Sequence, residues 1–121
     1  MKITNALEEK LSSLLLMVGI MPSVVGYEYI KTAVRLYPEC EGNMNLICSQ
    51  IANKNIVTKG SVERNIRTAL LTAYNRGYLI RLNELLGFNI ITESDKLTAK
   101  EFIAILSEYI TYSHAFREGI E

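Results

Sequence analysis

Over residues 58–76 the apolar side chains recur at three- and four-residue intervals, which commits that segment to a helix with one buried stripe. At 100° per residue, Val62, Ile66, Ala69, Leu70 and Ala73 fall on one side. Gly60, Ser61, Glu63, Arg64, Arg67 and Thr68 fall mostly on the other, crowded into the first three turns. A helix of this kind needs partners to cover its stripe, so the rest of the chain must supply them.

It supplies them as further helices. Asn5-Ala-Leu-Glu8 has the form of a capped helix start, followed by Leu7, Leu11, Leu14, Leu15 and Val18 at helical spacing and by Gly19 as a stop. Pro22 suits the first turn of a second helix, which would carry Tyr27, Ile30, Val34 and Tyr37 on one side and end before Pro38. Residues 39–45 are polar and read as a loop. A short helix over about 45–53 would turn Ile47, Cys48, Ile51 and Ala52 inward. After a connection over 55–59 and the long helix, Gly77 closes the segment. A short helix over about 80–86 ends at Gly87, and 88–92 reads as an extended link or a stub of strand. Thr98-Ala-Lys-Glu101 is a capping box ahead of Phe102, Ile103, Leu106, Tyr109 and Ile110. The expected fold is all-α, about six helices, in one domain spanning all 121 residues.

Net charge is zero, yet its distribution is uneven. From Lys54 to Arg81 six basic residues (Lys54, Lys59, Arg64, Arg67, Arg76, Arg81) face one acidic residue, Glu63, a local charge of +5. The other seven basic and twelve acidic residues leave −5 elsewhere. Local field rather than net charge steers a polyanion, so one basic face on an acidic domain suits phosphate binding.

A short helix, a tight connection and a longer helix with arginines at its outward N-terminal half make the layout of a helix-turn-helix, here at about 45–76. Arg64 and Arg67 are one turn apart, and an arginine fork matches guanine O6 and N7. Glu63 would weaken generic phosphate binding; it suits a cytosine amino group, or holds an arginine in its rotamer. Thr58 is the expected cap. Lys54, Lys59 and Arg76 are candidates for phosphate contacts, which fix position without reading sequence. On residue types alone, a solvated helix face has the same composition.

Other chemistries find little material. His114 is the only histidine, Cys40 and Cys48 are eight apart with no CxxC, and neither a zinc site nor a His-dependent nucleophile has its parts. The cysteines read as two partly buried thiols in a reducing compartment. No glycine-rich phosphate loop or acid cluster is present, so neither an enzyme nor a cofactor or metal is expected. No apolar run nears the roughly 20 residues of a membrane span, and no secretory signal is legible, which points to the cytoplasm. The tyrosines sit at helical spacing and are assigned to packing.

Several runs carry a resemblance: Gly26-Tyr27-Glu28-Tyr29-Ile30-Lys31-Thr32-Ala33-Val34, Ser61-Val62-Glu63-Arg64-Asn65-Ile66-Arg67-Thr68-Ala69, Asn75-Arg76-Gly77, Leu85-Leu86-Gly87-Phe88 and Glu101-Phe102-Ile103-Ala104. From about Ala6 to Tyr109 the chain resembles the C-terminal effector domain of the master sporulation response regulator of endospore-forming Firmicutes, the stage-zero sporulation protein A family. The resemblance implies a six-helix fold with a helix-turn-helix and a sequence-specific, double-stranded DNA-binding transcriptional regulator. It also implies homodimers on tandem sites and the sigma subunit of RNA polymerase as partners. At matching positions it makes Glu63, Arg64 and Arg67 the base readers and adjacent contacts and gives Thr68 to the DNA backbone, and Thr58, Lys59, Gly60 and Ser61 around the helix start are expected to contact the backbone beside them.

The chain also departs from that family. Gly60 and Ser61 stand where the family has Ser and Arg, so a basic side chain has shifted or gone. The loop before the short helix is about four residues shorter than expected. No receiver domain is legible in these residues, which leaves an excised effector domain or a stand-alone relative. Ser61, the zero net charge and an outward Leu71 also support another role, a degenerate effector acting as a protein-interaction module on a full-length regulator.

Overall fold

A computed structural model describes the backbone of residues 5–87, 89, 91–92 and 94–120, and the side chains of 6–87, 89, 91–92 and 94–111. Among them are six helices and no strand: α1 (Asn5–Met17), α2 (Val25–Glu39), α3 (Met44–Asn55), α4 (Lys59–Asn75), α5 (Arg81–Leu86) and α6 (Ala99–Ile120). None is long and apolar enough to cross a membrane. The expected Asn5 cap, the side chains of Tyr112 and His114, and Phe88 and Ile90 of the supposed link lie outside the described residues.

The helices end where local chemistry dictates. The three glycines expected to stop helices, Gly19, Gly77 and Gly87, all have positive φ. Thr98 and Glu101 form the expected capping box: the Glu101 N–H donates to Thr98 Oγ1 (3.1 Å) and the Thr98 N–H to Glu101 Oε1 (2.8 Å).

Two prolines depart from expectation. Pro22 is not in a helix. The Val24 N–H donates to the Met21 carbonyl (3.0 Å), closing a turn in which the ring's fixed φ serves as well as at a helix start. α2 accordingly begins at Val25, with no side-chain cap at Val24. At its other end α2 runs through Pro38 to Glu39. A proline in the last turn forfeits a single bond, and the Cys40, Glu41 and Gly42 N–H groups still take the carbonyls of Leu36, Pro38 and Tyr37.

α2 is the central helix, packed on α4, α6, α3 and α1. Gly26 is what lets α4 so close. A Cβ there would lie 2.3 Å from the Asn65 carbonyl oxygen and 3.0 Å from Ala69 Cβ, an overlap no L side chain can accept. The α4 stripe read from sequence, Val62, Ile66, Ala69, Leu70 and Ala73, is buried in full. Phe102, Ile103, Leu106 and Ile110 of α6 close the core over Leu11 and Leu15 of α1 and Ile30 of α2, all essentially without solvent contact. Tyr27 and Tyr29 are core residues, and Cys40 and Cys48 are free and buried.

Two polar devices pin the outer elements. Lys31, buried on α2, donates to Ser12 Oγ (3.0 Å) and pairs with Glu8 Oε1 (2.8 Å), tying α2 to α1. Asn83 of α5 grips the link beyond it, donating to the Ile91 carbonyl (2.7 Å) and accepting from the Ile91 N–H (3.0 Å). Ile91 is buried by this clamp, and no strand forms among the described residues of the link.

Candidate nucleic-acid interface

α3 and α4 are joined by three residues, 56–58, short enough to hold the pair at a fixed angle. Ile56 turns the chain in the left-handed region (φ 55°, ψ 50°), and its N–H and that of Val57 both return to the Ala52 carbonyl. Thr58 then caps α4, its Oγ1 accepting from the Ser61 N–H (3.1 Å). Lys59, the first residue of α4, donates to Asn45 Oδ1 in the first turn of α3, a second strap across the motif.

With the stripe of α4 buried, the opposite side is fixed in orientation. Gly60, Arg64, Arg67 and Thr68 are exposed, and Lys59, Ser61 and Glu63 are half-buried. Among the described residues, neither arginine has an ion pair or hydrogen bond within the chain. Glu63 does not hold an arginine in place: although Arg67 is four residues on, the two form no ion pair within the chain. Nothing lies within 4 Å of a Cβ built on Gly60, so packing places no demand for glycine there.

Glu63 and Arg67 turn toward the start of α3 rather than straight outward. With Met44, Cys48, Thr98, Ala99 and Lys100 they line a groove of about 310 Å³. Its charges are felt at the buried thiol beneath. Burial pushes the Cys48 thiol up, Glu63 pushes the same way, and Lys59 opposes both. Glu63, Lys59 and Arg67 therefore form one charged cluster around the first turns of α3 and α4.

Two expected contacts lie elsewhere. Arg76 caps the far end of α4, about 18 Å along the axis from Arg64. Its guanidinium approaches the Gly19 carbonyl at 3.5 Å, beside Arg81, which donates to the Met17 carbonyl (2.9 Å) and stacks on Tyr78 (3.7 Å). Both arginines thus bind the frayed carbonyls at the end of α1, where a cation is electrostatically favoured. Lys54 is exposed but lines a separate groove between α2 and α3, with Thr32, Arg35 and Gln50. Spacing assigns a residue to a helix face, but which neighbouring helix that face meets is a tertiary matter.

Sequence reasoning missed the contribution of α6. Thr98 and Lys100 border the groove of Glu63 and Arg67 because α6 begins beside α3 and α4. The capping box marked where α6 starts, but no local signal says what it starts next to. Asn45, which holds Lys59, was missed for the same reason.

The geometry is that of a rigid helix presenting unpaired arginines, steadied by a short helix across a tight turn. Residues 11–110 match the family model described as Sporulation initiation factor Spo0A C terminal, which takes in α2 to α5 whole and about half each of α1 and α6.

Proposed function

The chain belongs to this family of C-terminal domains of a sporulation initiation factor, and from that premise we propose that it is a sequence-specific, double-stranded DNA-binding transcriptional regulator that lays α4 in the major groove. The observation that carries this reading is the pair Arg64 and Arg67, exposed and free of intramolecular partners on a helix whose other face is locked in the core. Arginines left unpaired on a pre-ordered helix lose little conformational entropy on meeting a base edge.

In this reading Arg64 and Arg67 fork onto guanines, and Glu63, which has no internal arginine to neutralise, accepts from a cytosine amino group. Thr58, Lys59, Gly60 and Ser61 lie along the phosphate strand at the helix start, and Thr68 contacts it about two turns further on. Helix N-terminal N–H groups favour phosphate, and Gly60 leaves room for a close approach. Arg76 leaves the contact set because its guanidinium serves α1, and Lys54 joins only if the strand also crosses the groove between α2 and α3. Head-to-tail pairing on tandem sites and contact with a sigma subunit follow as partners from the family.

The test is selection of duplexes from a randomised pool by the 121-residue chain, followed by titration of Arg64→Ala on the enriched site. The substitution is expected to cost roughly 1–3 kcal/mol there and to relax preference at one base pair. A variant as tight and as selective as the parent would refute the base-reading role.

A second reading has one observation in its favour. Leu71, 47% exposed, continues the outward side of α4 beyond Thr68, where an apolar side chain offers nothing to a phosphate. A protein-interaction module acting on a full-length regulator would use such a residue. A salt titration separates the two, because phosphate contacts make affinity fall steeply with ionic strength and an apolar contact does not.

A further inference from the structure

The groove beside Cys48 carries a cation from outside the helix-turn-helix. Lys100 stands in the first turn of α6, is exposed, and lines the same 310 Å³ space as Glu63 and Arg67. Among the described residues it has no hydrogen bond or ion pair. Its neighbour Glu101 turns its carboxylate back to the Thr98 N–H in the capping box and forms no ion pair with it.

We propose that Lys100 is a DNA-backbone contact, and that the groove between the starts of α3 and α6 and the flank of α4 receives one sugar–phosphate strand. The inference rests on the DNA-binding reading above and extends its interface to a third helix. An α-helix is about 10–12 Å across and the major groove about 12 Å wide, so a helix lying in it nearly fills it. An element flanking that helix must then face a strand at the groove edge. α6 flanks α4 in this way and brings Lys100 to the rim. The lining balance favours a polyanion: Arg67 and Lys100 against Glu63, with Lys59 close enough to act on the same thiol. Met44 and Cys48 beneath offer nothing ionic, and Arg67 is turned to the bases in this reading, so a strand would rest on Lys100.

The measurement is fluorescence anisotropy of the 121-residue chain on two labelled duplexes, the enriched site and a scrambled one, from about 50 to 200 mM salt. Lys100→Ala is expected to weaken both duplexes alike, by about eightfold near 0.1 M salt, the release of roughly 0.9 counterion. The slope of log affinity against log salt should shrink by about 0.9, Lys100→Glu should weaken binding further, and Lys100→Arg should hold the slope. Lys10→Gln, at a lysine over Tyr109 roughly 14 Å further along α6, should leave the slope unchanged. Unchanged affinity and slope in Lys100→Ala, with the parent binding normally, overturn the inference. So does a loss confined to one duplex, which would mark a base reader. A parent that binds no duplex at any salt overturns the DNA-binding reading itself.

Discussion

Ile56 holds φ 55° in the turn ahead of α4 with 92% of its surface exposed. A β-branched residue there costs about 1–2 kcal/mol, and its exposure returns almost no burial. Ile56→Gly should therefore raise stability by about 1 kcal/mol after the added unfolded-state entropy, or roughly 3–5 °C in a thermal melt. An unchanged or lower midpoint would show that the turn is not strained. Gly60 is the converse case, a glycine in the first turn of a helix with open space around it. Gly60→Ala should stabilise the fold by about 0.5–1 kcal/mol yet weaken binding to the enriched duplex, because the methyl stands where the backbone is proposed to approach. Improved stability with undiminished affinity would remove Gly60 from the interface. Sequence made Gly60 visible but not Ile56: the outward Gly60 follows from periodicity and the Thr58 cap from its side chain. The left-handed Ile56 does not, since nothing in its side chain asks for that conformation.

The orientation of α4 depends on α2. Gly26→Ala would drive a methyl to 2.3 Å from the Asn65 backbone oxygen, and a backbone atom in a helix cannot rotate aside. We expect a loss of about 2–4 kcal/mol in chemical denaturation. In whatever folds, DNA affinity should fall as well, because the reading face tilts with the helix. Wild-type stability and affinity would mean that α2 and α4 separate at little cost. Element boundaries were largely legible, because apolar period, caps and glycine stops act within a few residues. The two misread ends both involve proline, whose fixed φ fits a turn as readily as a first helical turn, as at Pro22, and whose missing N–H is cheap in a last turn, as at Pro38.

For the molecule as a whole, charge sets two dependences on conditions. Burial pulls the Lys31 pKa down, but the hydrogen bond and field of Glu8, with Tyr27 and Glu28, outweigh it and hold the value above the ordinary 10.5. A raised lysine favours the fold while protonated. The contribution is thus complete below the unfolded value and is lost as pH climbs through the higher folded one. Stability should decline above about pH 10.5. Glu8→Gln should lower stability at neutral pH by about 1 kcal/mol, a modest figure because Glu8 is one-third exposed, and flatten the alkaline decline. An alkaline limb identical in the variant would assign that decline to other groups. The −5 and +5 division of charge predicts a second dependence. Few cations reach the interface, so log affinity should fall with log salt at a slope of only about −2 to −4. A slope near zero would contradict a phosphate interface altogether.

The sequence alone determined the helices and the buried stripe of α4, and therefore that Glu63, Arg64 and Arg67 lie off that stripe, because helical geometry ties each side chain to a face within a few residues. It also carried the family likeness that residues 11–110 bear out. Only the tertiary structure decided what surrounds that face. It sent Arg76 to the end of α1, set Lys54 in another groove, strapped Lys59 to Asn45, and brought Lys100 of α6 beside Arg67. Those outcomes follow from close packing at Gly26 and over the α6 core, contacts between residues tens of positions apart. Local periodicity has no means of encoding a distance between two helices, and the interface is built from such distances.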